Sequence, residues 1–198
     1  PNLPCWRDAG GPKRTLQFRL AGRLLEFTQK LVEPVINFNH AIAPYVLWPS
    51  AYALAMMLQS LPPEMLAGRH TVELGCGLGL PSLAAALGGA RATATDLDRS
   101  ALSLARKAAS RNLPPAARDR FAVQTLDFRD NAALEALGRV DMVLIAGQFY
   151  DATLHEPLLL AVRSICSAGC RLVMANYMGH GQSLVAGWFL ETLGEDFE

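Results

Sequence analysis

Thr71-Val72-Glu73-Leu74-Gly75-Cys76-Gly77-Leu78-Gly79-Leu80-Pro81 is the stretch on which the reading of this chain turns. A β-branched, apolar lead-in (Thr71, Val72) runs into an acidic residue and then into three glycines at alternate positions. An apolar, Ala-rich run follows at 82–87 and reads as a helix. Strand, glycine turn and helix together make a nucleotide-binding corner, because glycines turn tightly and let backbone approach a ligand closely. The spacing is G-x-G-x-G rather than G-x-G-x-x-G, so the fingerprint that cradles a pyrophosphate is not met. Glu73, next but one to the first glycine, puts negative charge near the turn and suits a cationic ligand better than a diphosphate. Residues 91–95 read as a second strand ending in Asp96, about 20 residues after Gly75, where a carboxylate holds a ribose hydroxyl pair.

Outward from this corner the chain alternates. Strands are expected at 71–75, 91–95, 121–125, 140–146 and 170–175, with helices at 80–87, 98–111, 131–137, 153–165 and 183–193. Strands alternating with helices imply βαβ units, hence a Rossmann-like, doubly wound α/β fold around a parallel sheet. Val140 to Ala146 is nearly all apolar, as suits a central strand buried on both faces. Ahead of the corner, residues 15–20 and 23–28 flank Ala21-Gly22 as a short-turn hairpin. Pro49 can open a helix that runs to Ser60 before Pro62-Pro63. Residues 32–44 read as a loop and 1–12, rich in Pro and Gly, as a loose lead-in. The expected organisation is one domain over 1–198: a lead-in at 1–14, hairpin and helix at 15–66, and a ligand-binding core at 67–198.

A length of 198 residues suits one domain with a proper core. Lys plus Arg equals Asp plus Glu, for a formal net charge of zero, so no global field attracts nucleic acid or an anionic membrane. The apolar run at 41–58 is interrupted by Pro44, Pro49 and Ser50, and no stretch is long enough for a membrane span. Cys5, Cys76, Cys166 and Cys170 lack paired zinc spacing; no metal site is expected, and a helix-to-strand boundary accounts for the last two. Cys76 sits inside the glycine turn, where a small side chain fits. The cysteine usage suits a reducing compartment, and a cytoplasmic monomer is the expectation.

In open parallel sheets, ligands bind at the carboxyl ends of the strands. The first strand end supplies Glu73, Gly75, Cys76, Gly77 and Gly79; the second supplies Asp96 and Leu97. The third ends in Leu126-Asp127-Phe128, where Asp127 can accept from an adenine amino group, or cap a turn, and Phe128 can pack on the ring, or join the core. The fourth ends in Ala146-Gly147-Gln148-Phe149-Tyr150, at the far end of the site. Asp98 reads as a helix N-cap, and the four histidines read as structural.

These motifs resemble a known family. E-x-G-x-G-x-G, a second strand and its terminal Asp are similar to motif I and its sequel in class I S-adenosylmethionine-dependent methyltransferases. Tyr45-Val46-Leu47-Trp48-Pro49-Ser50-Ala51 looks like the V-W-x-x-[GA] segment of methyltransferase family 16, the seven-β-strand protein-lysine methyltransferases. Thr95-Asp96-Leu97 matches its post-I segment, and Leu126-Asp127-Phe128 its L-x-W-G segment with Phe in place of Trp. Val143 to Tyr150 lines up with its strand ending in A-D-x-x-Y. The likeness runs from about Thr15 to the end, where the sequence given stops as the sixth of seven strands would begin.

The resemblance implies S-adenosylmethionine as methyl donor and a lysine of a protein as acceptor. Cofactor contacts are expected from Trp48, Glu73, Gly75, Cys76, Gly77, Gly79, Asp96, Leu97, Asp127, Phe128 and Ala146, with Tyr150 as the catalytic residue. A small-molecule N-methyltransferase and a donor-binding scaffold are the competing expectations. Gly147 stands where the family has the Asp of D-x-x-Y, so Gln148, Phe149 and Tyr150 are left to orient the acceptor. Weak or narrow lysine activity follows, with Gly147→Asp raising turnover or leaving it unchanged.

Overall fold

The computed structural model describes residues 5–8, 13–30 and 43–176. Strands β2 (Lys13–Leu20) and β3 (Arg23–Lys30) form the expected hairpin, with Ala21 and Gly22 both at positive φ (47° and 77°) in its two-residue turn. Their alternation is that of a half-buried ribbon: Leu16, Phe18 and Leu20 from β2, with Leu25 and Phe27 from β3, lie in the core. The Phe18 ring meets Tyr52 of α1 (Pro49–Ser60) edge-on at 5.2 Å.

The lead-in needs a correction. Cys5–Asp8 is a strand, β1, antiparallel to β2 with Cys5 opposite Gln17. Four residues between prolines and glycines carry too little periodicity to announce a strand. Pairing with the open edge of β2 makes it one.

The main sheet holds β4 (His70–Leu74), β5 (Arg91–Asp96), β6 (Phe121–Thr125), β7 (Val140–Ala146) and β8 (Cys166–Ala175), all parallel, in the order β6-β5-β4-β7-β8. Alternate residues of β7 enter opposite cores. Met142, Leu144 and Ala146 join the cluster containing α1, α2 (Leu80–Leu87) and the hairpin, while Val143 and Ile145 join the one containing α6 (His155–Ile165). Both faces are therefore covered, and the rim where the strands end is the place left for a ligand.

Helix α3 (Arg99–Asn112) starts on Asp98, whose Oδ1 accepts from the Ser100 and Ala101 amides, the N-cap expected of it. Its last residue, Asn112, accepts from the Glu26 amide and donates to the Glu26 carbonyl, which ties the hairpin to the sheet's helical layer. Shorter helices α4 (Pro115–Arg118) and α5 (Asn131–Glu135) complete the connections. The expected helix at 153–165 begins as a 3-10 turn, Ala152–Leu154, because the Asp151 side chain caps it through Thr153. The expected helix at 183–193 lies outside the described residues.

Cys166 and Cys170, at the expected helix-to-strand boundary, are joined in a disulfide with Cα atoms 5.2 Å apart, a link that the boundary reading did not include. Strand β8 pairs Cys166 with Val140 and then Arg171 with Met142, so residues 167–170 loop out of register and bring the two sulfurs together. Of the histidines, His70 is buried between the Arg139 carbonyl and the Thr93 hydroxyl, and His155 is buried against the Phe149 ring, both structural as expected. Among the described residues no helix is long and apolar enough to cross a membrane, and no group of side chains is arranged to hold a metal.

Candidate active site

A cavity of about 450 Å³ runs across the carboxyl ends of β6, β5, β4 and β7 in that spatial order, a size ordinary for a small-ligand site. At the β4 end the glycine turn is built by positive φ at Gly75, Gly77 and Gly79 (68°, 51° and 74°). Gly75, Cys76 and Gly77 line the cavity with Glu73. Gly79 does not. It is the left-handed cap of α2, and a Cβ there would meet the Ala105 Cβ at 3.1 Å, so its job is to let α3 pack close. Cys76 is buried, and desolvation pushes its thiol well above the usual range, which leaves it an inert small side chain.

Glu73 is 1% exposed. Its Oε2 accepts from both the Ser82 amide (2.9 Å) and the Ser82 hydroxyl (2.6 Å), bracing the first turn of α2 against β4. Burial outweighs these two donors and pushes the carboxyl up to about 8. Burial thus favours the protonated carboxyl where the sequence led us to expect a charge.

Asp96 closes β5 as expected. Its Oδ2 accepts from the Gly77 amide at 2.8 Å and its Oδ1 from the Asp98 amide at 2.9 Å, so the carboxylate that faces the cavity also sets the glycine turn. Burial raises its pKa, with the backbone donors working against the rise. Leu97 beside it is 60% exposed on the cavity rim.

At the β6 end, Asp127 and Phe128 both line the cavity, and the structure shows a local turn at the first and core packing at the second. Asp127 accepts from Arg129 at Nε (2.8 Å), Nη2 (2.7 Å) and the amide (3.0 Å), forming a local turn, and that guanidinium lowers its pKa. Phe128 also packs against the core cluster of α6.

A strap that includes the V-W segment crosses the glycine turn. Ala43–Tyr45 is a 3-10 turn, and from it Pro44, Val46, Leu47 and Trp48 line the cavity. Bonds to the described residues help hold the strap: the Tyr45 hydroxyl donates to Asp98 at 2.6 Å, the Trp48 indole to the Ala43 carbonyl at 2.9 Å, and the Leu47 amide to Gln29 at 3.1 Å. A Cβ on Gly77 would stand 3.1 Å from the Pro44 carbonyl, so the strap needs a glycine beneath it. Residues 45–48 carried a sequence signal through the V-W segment, and the structure puts Trp48 on the wall of the same cavity as the glycine turn.

At the β7 end, Ala146, Gly147, Gln148 and Tyr150 line the cavity, but Phe149 does not; it is 4% exposed and packed against His155. Burial, then Asp151, raises the Tyr150 phenol, which stays protonated at neutral pH. Gly147 has φ +69°, and a Cβ would sit 2.7 Å from the Ser50 hydroxyl. A left-handed residue with a side chain costs about 1 kcal/mol or more, so Gly147→Asp is expected to lower the melting temperature, with Ser50→Gly in the same chain restoring part of it. Equal melting temperatures for wild type and Gly147→Asp would show that the site accepts an Asp freely.

A doubly wound sheet with a glycine turn, a carboxylate at the end of the second strand and a cavity across its strand ends is the architecture of a nucleotide-cofactor site. A family model described as Lysine methyltransferase, methyltransferase family 16, matches residues 37–185, and the chain belongs to that family. Protein N-lysine methyltransferase METTL21A of Mus musculus is 31% identical over 160 residues, spanning 74% of this chain and 72% of that protein. Among solved structures, precorrin 8w decarboxylase of Methanobacterium thermoautotrophicum superposes with a TM-score of 0.58 at 23% identity over 76% of each chain. The glycopeptide N-methyltransferase MtfA, solved with S-adenosyl-L-methionine, does so at 0.50 and 21% identity, over 72% of this chain and 58% of that one. Both are likenesses of fold.

Proposed function

We propose that this chain transfers a methyl group from S-adenosylmethionine to the side-chain amine of a lysine in a protein. The observation that carries the reading is the cavity over the ends of β6, β5, β4 and β7, with two buried carboxyls at its centre, in a chain of the lysine methyltransferase family. Its residues fit the donor chemically. Leu97 and Phe128 offer apolar surface for a base, Asp96 offers acceptors for ribose hydroxyls, and Glu73 can ionise toward a cation. The glycine turn leaves room for close approach. S-adenosylmethionine supplies a methyl group already activated on a sulfonium. The protein's part is then to align an amine with that methyl and to exclude water. Trp48 and Tyr150 form the walls suited to this, and aromatic faces also favour a nearby cation. The lysine must arrive as the free amine, and Tyr150, held protonated, acts as a hydrogen-bonding wall rather than as a base.

In this reading residues 1–198 work as one domain, a cytoplasmic monomer acting on a protein without nucleic acid or membrane. Supplying labelled donor to the protein in a whole-cell lysate tests the reading. Label in protein is the expected result. Label in the small-molecule fraction would make it a small-molecule N-methyltransferase, and donor binding without any labelled product would make it a scaffold.

A further inference from the structure

Gln148 reaches across the site. Its Nε2 donates to the Gly75 carbonyl at 2.9 Å, a bond between the end of β7 and the turn after β4 that links residues 73 positions apart. The amide lies over Gly75 so closely that a Cβ there would collide with Nε2, Cδ and Oε1 alike. Both residues line the cavity.

The spatial order of the strands says which part of a donor comes here. A base at the β6 end and a ribose on Asp96 leave the remaining end of the ligand between β4 and β7, where Gly75 and Gln148 sit. In S-adenosylmethionine that end is an amino acid, with an ammonium carrying three N–H donors. Leaving water, those donors need acceptors. Asp96 is placed at the ribose, and Glu73 Oε2 already accepts from Ser82. The Gly75 carbonyl is a further acceptor facing this end, and a neutral amide of the protein holds it. A charged donor makes a bond roughly twice as strong as a neutral one, so an ammonium can take the carbonyl from Gln148.

We infer that Gln148 is a displaceable latch on the amino-acid end of the donor site, opened by ligands whose ammonium can claim the Gly75 carbonyl. The inference rests on the donor reading above and makes Gln148 a positioning residue that discriminates between adenosine ligands with and without the amino-acid tail.

The test compares S-adenosylhomocysteine with 5′-methylthioadenosine, which lacks the tail, by calorimetry on wild type and Gln148→Ala. Gln148→Ala is expected to bind S-adenosylhomocysteine about two- to tenfold more tightly, the worth of one neutral hydrogen bond no longer broken, and to bind methylthioadenosine as wild type does. Weaker or unchanged S-adenosylhomocysteine binding, or an equal gain for both ligands, overturns the latch alone. Wild type binding neither ligand overturns the donor reading and the latch together. A second readout needs no variant. The Gln148 side-chain amide signals of wild type, followed by NMR, should move with S-adenosylhomocysteine and stay put with methylthioadenosine; the same shift with both ligands, or none with either, contradicts the latch.

Discussion

Asp96→Ala is expected to weaken S-adenosylhomocysteine binding by about a hundredfold or more. Two hydrogen bonds from ribose hydroxyls to a carboxylate are worth about 1.5 kcal/mol each at the lower end of the range for charged acceptors, and about 3 kcal/mol corresponds to that factor. The same substitution strips Oδ2 from the Gly77 amide and Oδ1 from the Asp98 amide, so the turn that shapes the cavity loosens as well. Calorimetry gives the affinity, and a melting curve separates local loosening from unfolding. An Asp96→Ala protein that is folded and binds with wild-type affinity removes the ribose assignment.

The second large effect belongs to Glu73, whose carboxyl is pushed up by burial from an ordinary 4.5 to about 8. Below about pH 4.5 the group is protonated folded or unfolded, and its contribution is fully present. Between about 4.5 and 8 the unfolded chain loses the proton while the folded one keeps it, so stability falls as pH rises. Above 8 both forms are ionised and the loss is complete, on the order of a few kcal/mol. Glu73→Gln keeps the shape and an oxygen to accept from Ser82, yet cannot ionise. Denaturant midpoints from pH 5 to 8 should therefore slope less in Glu73→Gln than in wild type. A cationic donor favours the ionised carboxyl, so binding at pH 7 should release a proton, seen as a buffer-dependent enthalpy in wild type and absent in Glu73→Gln. Parallel pH slopes in the two proteins would mean that Glu73 is already ionised in the fold.

How much of this was legible in the sequence depended on range. The glycine turn, Glu73 and Asp96 announce themselves because a strand, a tight turn and a helix must follow one another locally. The boundaries of α2, β6 and β7 followed from the same local patterns. Asp98 as an N-cap is a contact over two or three residues and was equally readable. The strap from Ala43 to Trp48 was visible as a motif from Tyr45 onward but not as a strap, because its purpose lies in Pro44 over Gly77 and Tyr45 on Asp98, contacts that no periodicity encodes. Gly79 was assigned to the ligand because a glycine motif does not reveal which glycine faces the cavity and which faces a helix. Phe149 was misjudged for a related reason: strand alternation ends at Ala146, and beyond it the chain's path decides which side chain turns inward. Gly147 shows the same limit, since the missing carboxylate is plain in the sequence but the Ser50 hydroxyl that occupies its space is not.

Transfer of a CD₃ group from deuterated S-adenosylmethionine to protein, located by tandem mass spectrometry, tests the central claim most directly. The account predicts CD₃ on lysine side-chain nitrogen in proteins treated with wild type and its loss with Asp96→Ala. CD₃ on another residue type, or on lysine to the same extent with Asp96→Ala, would contradict it.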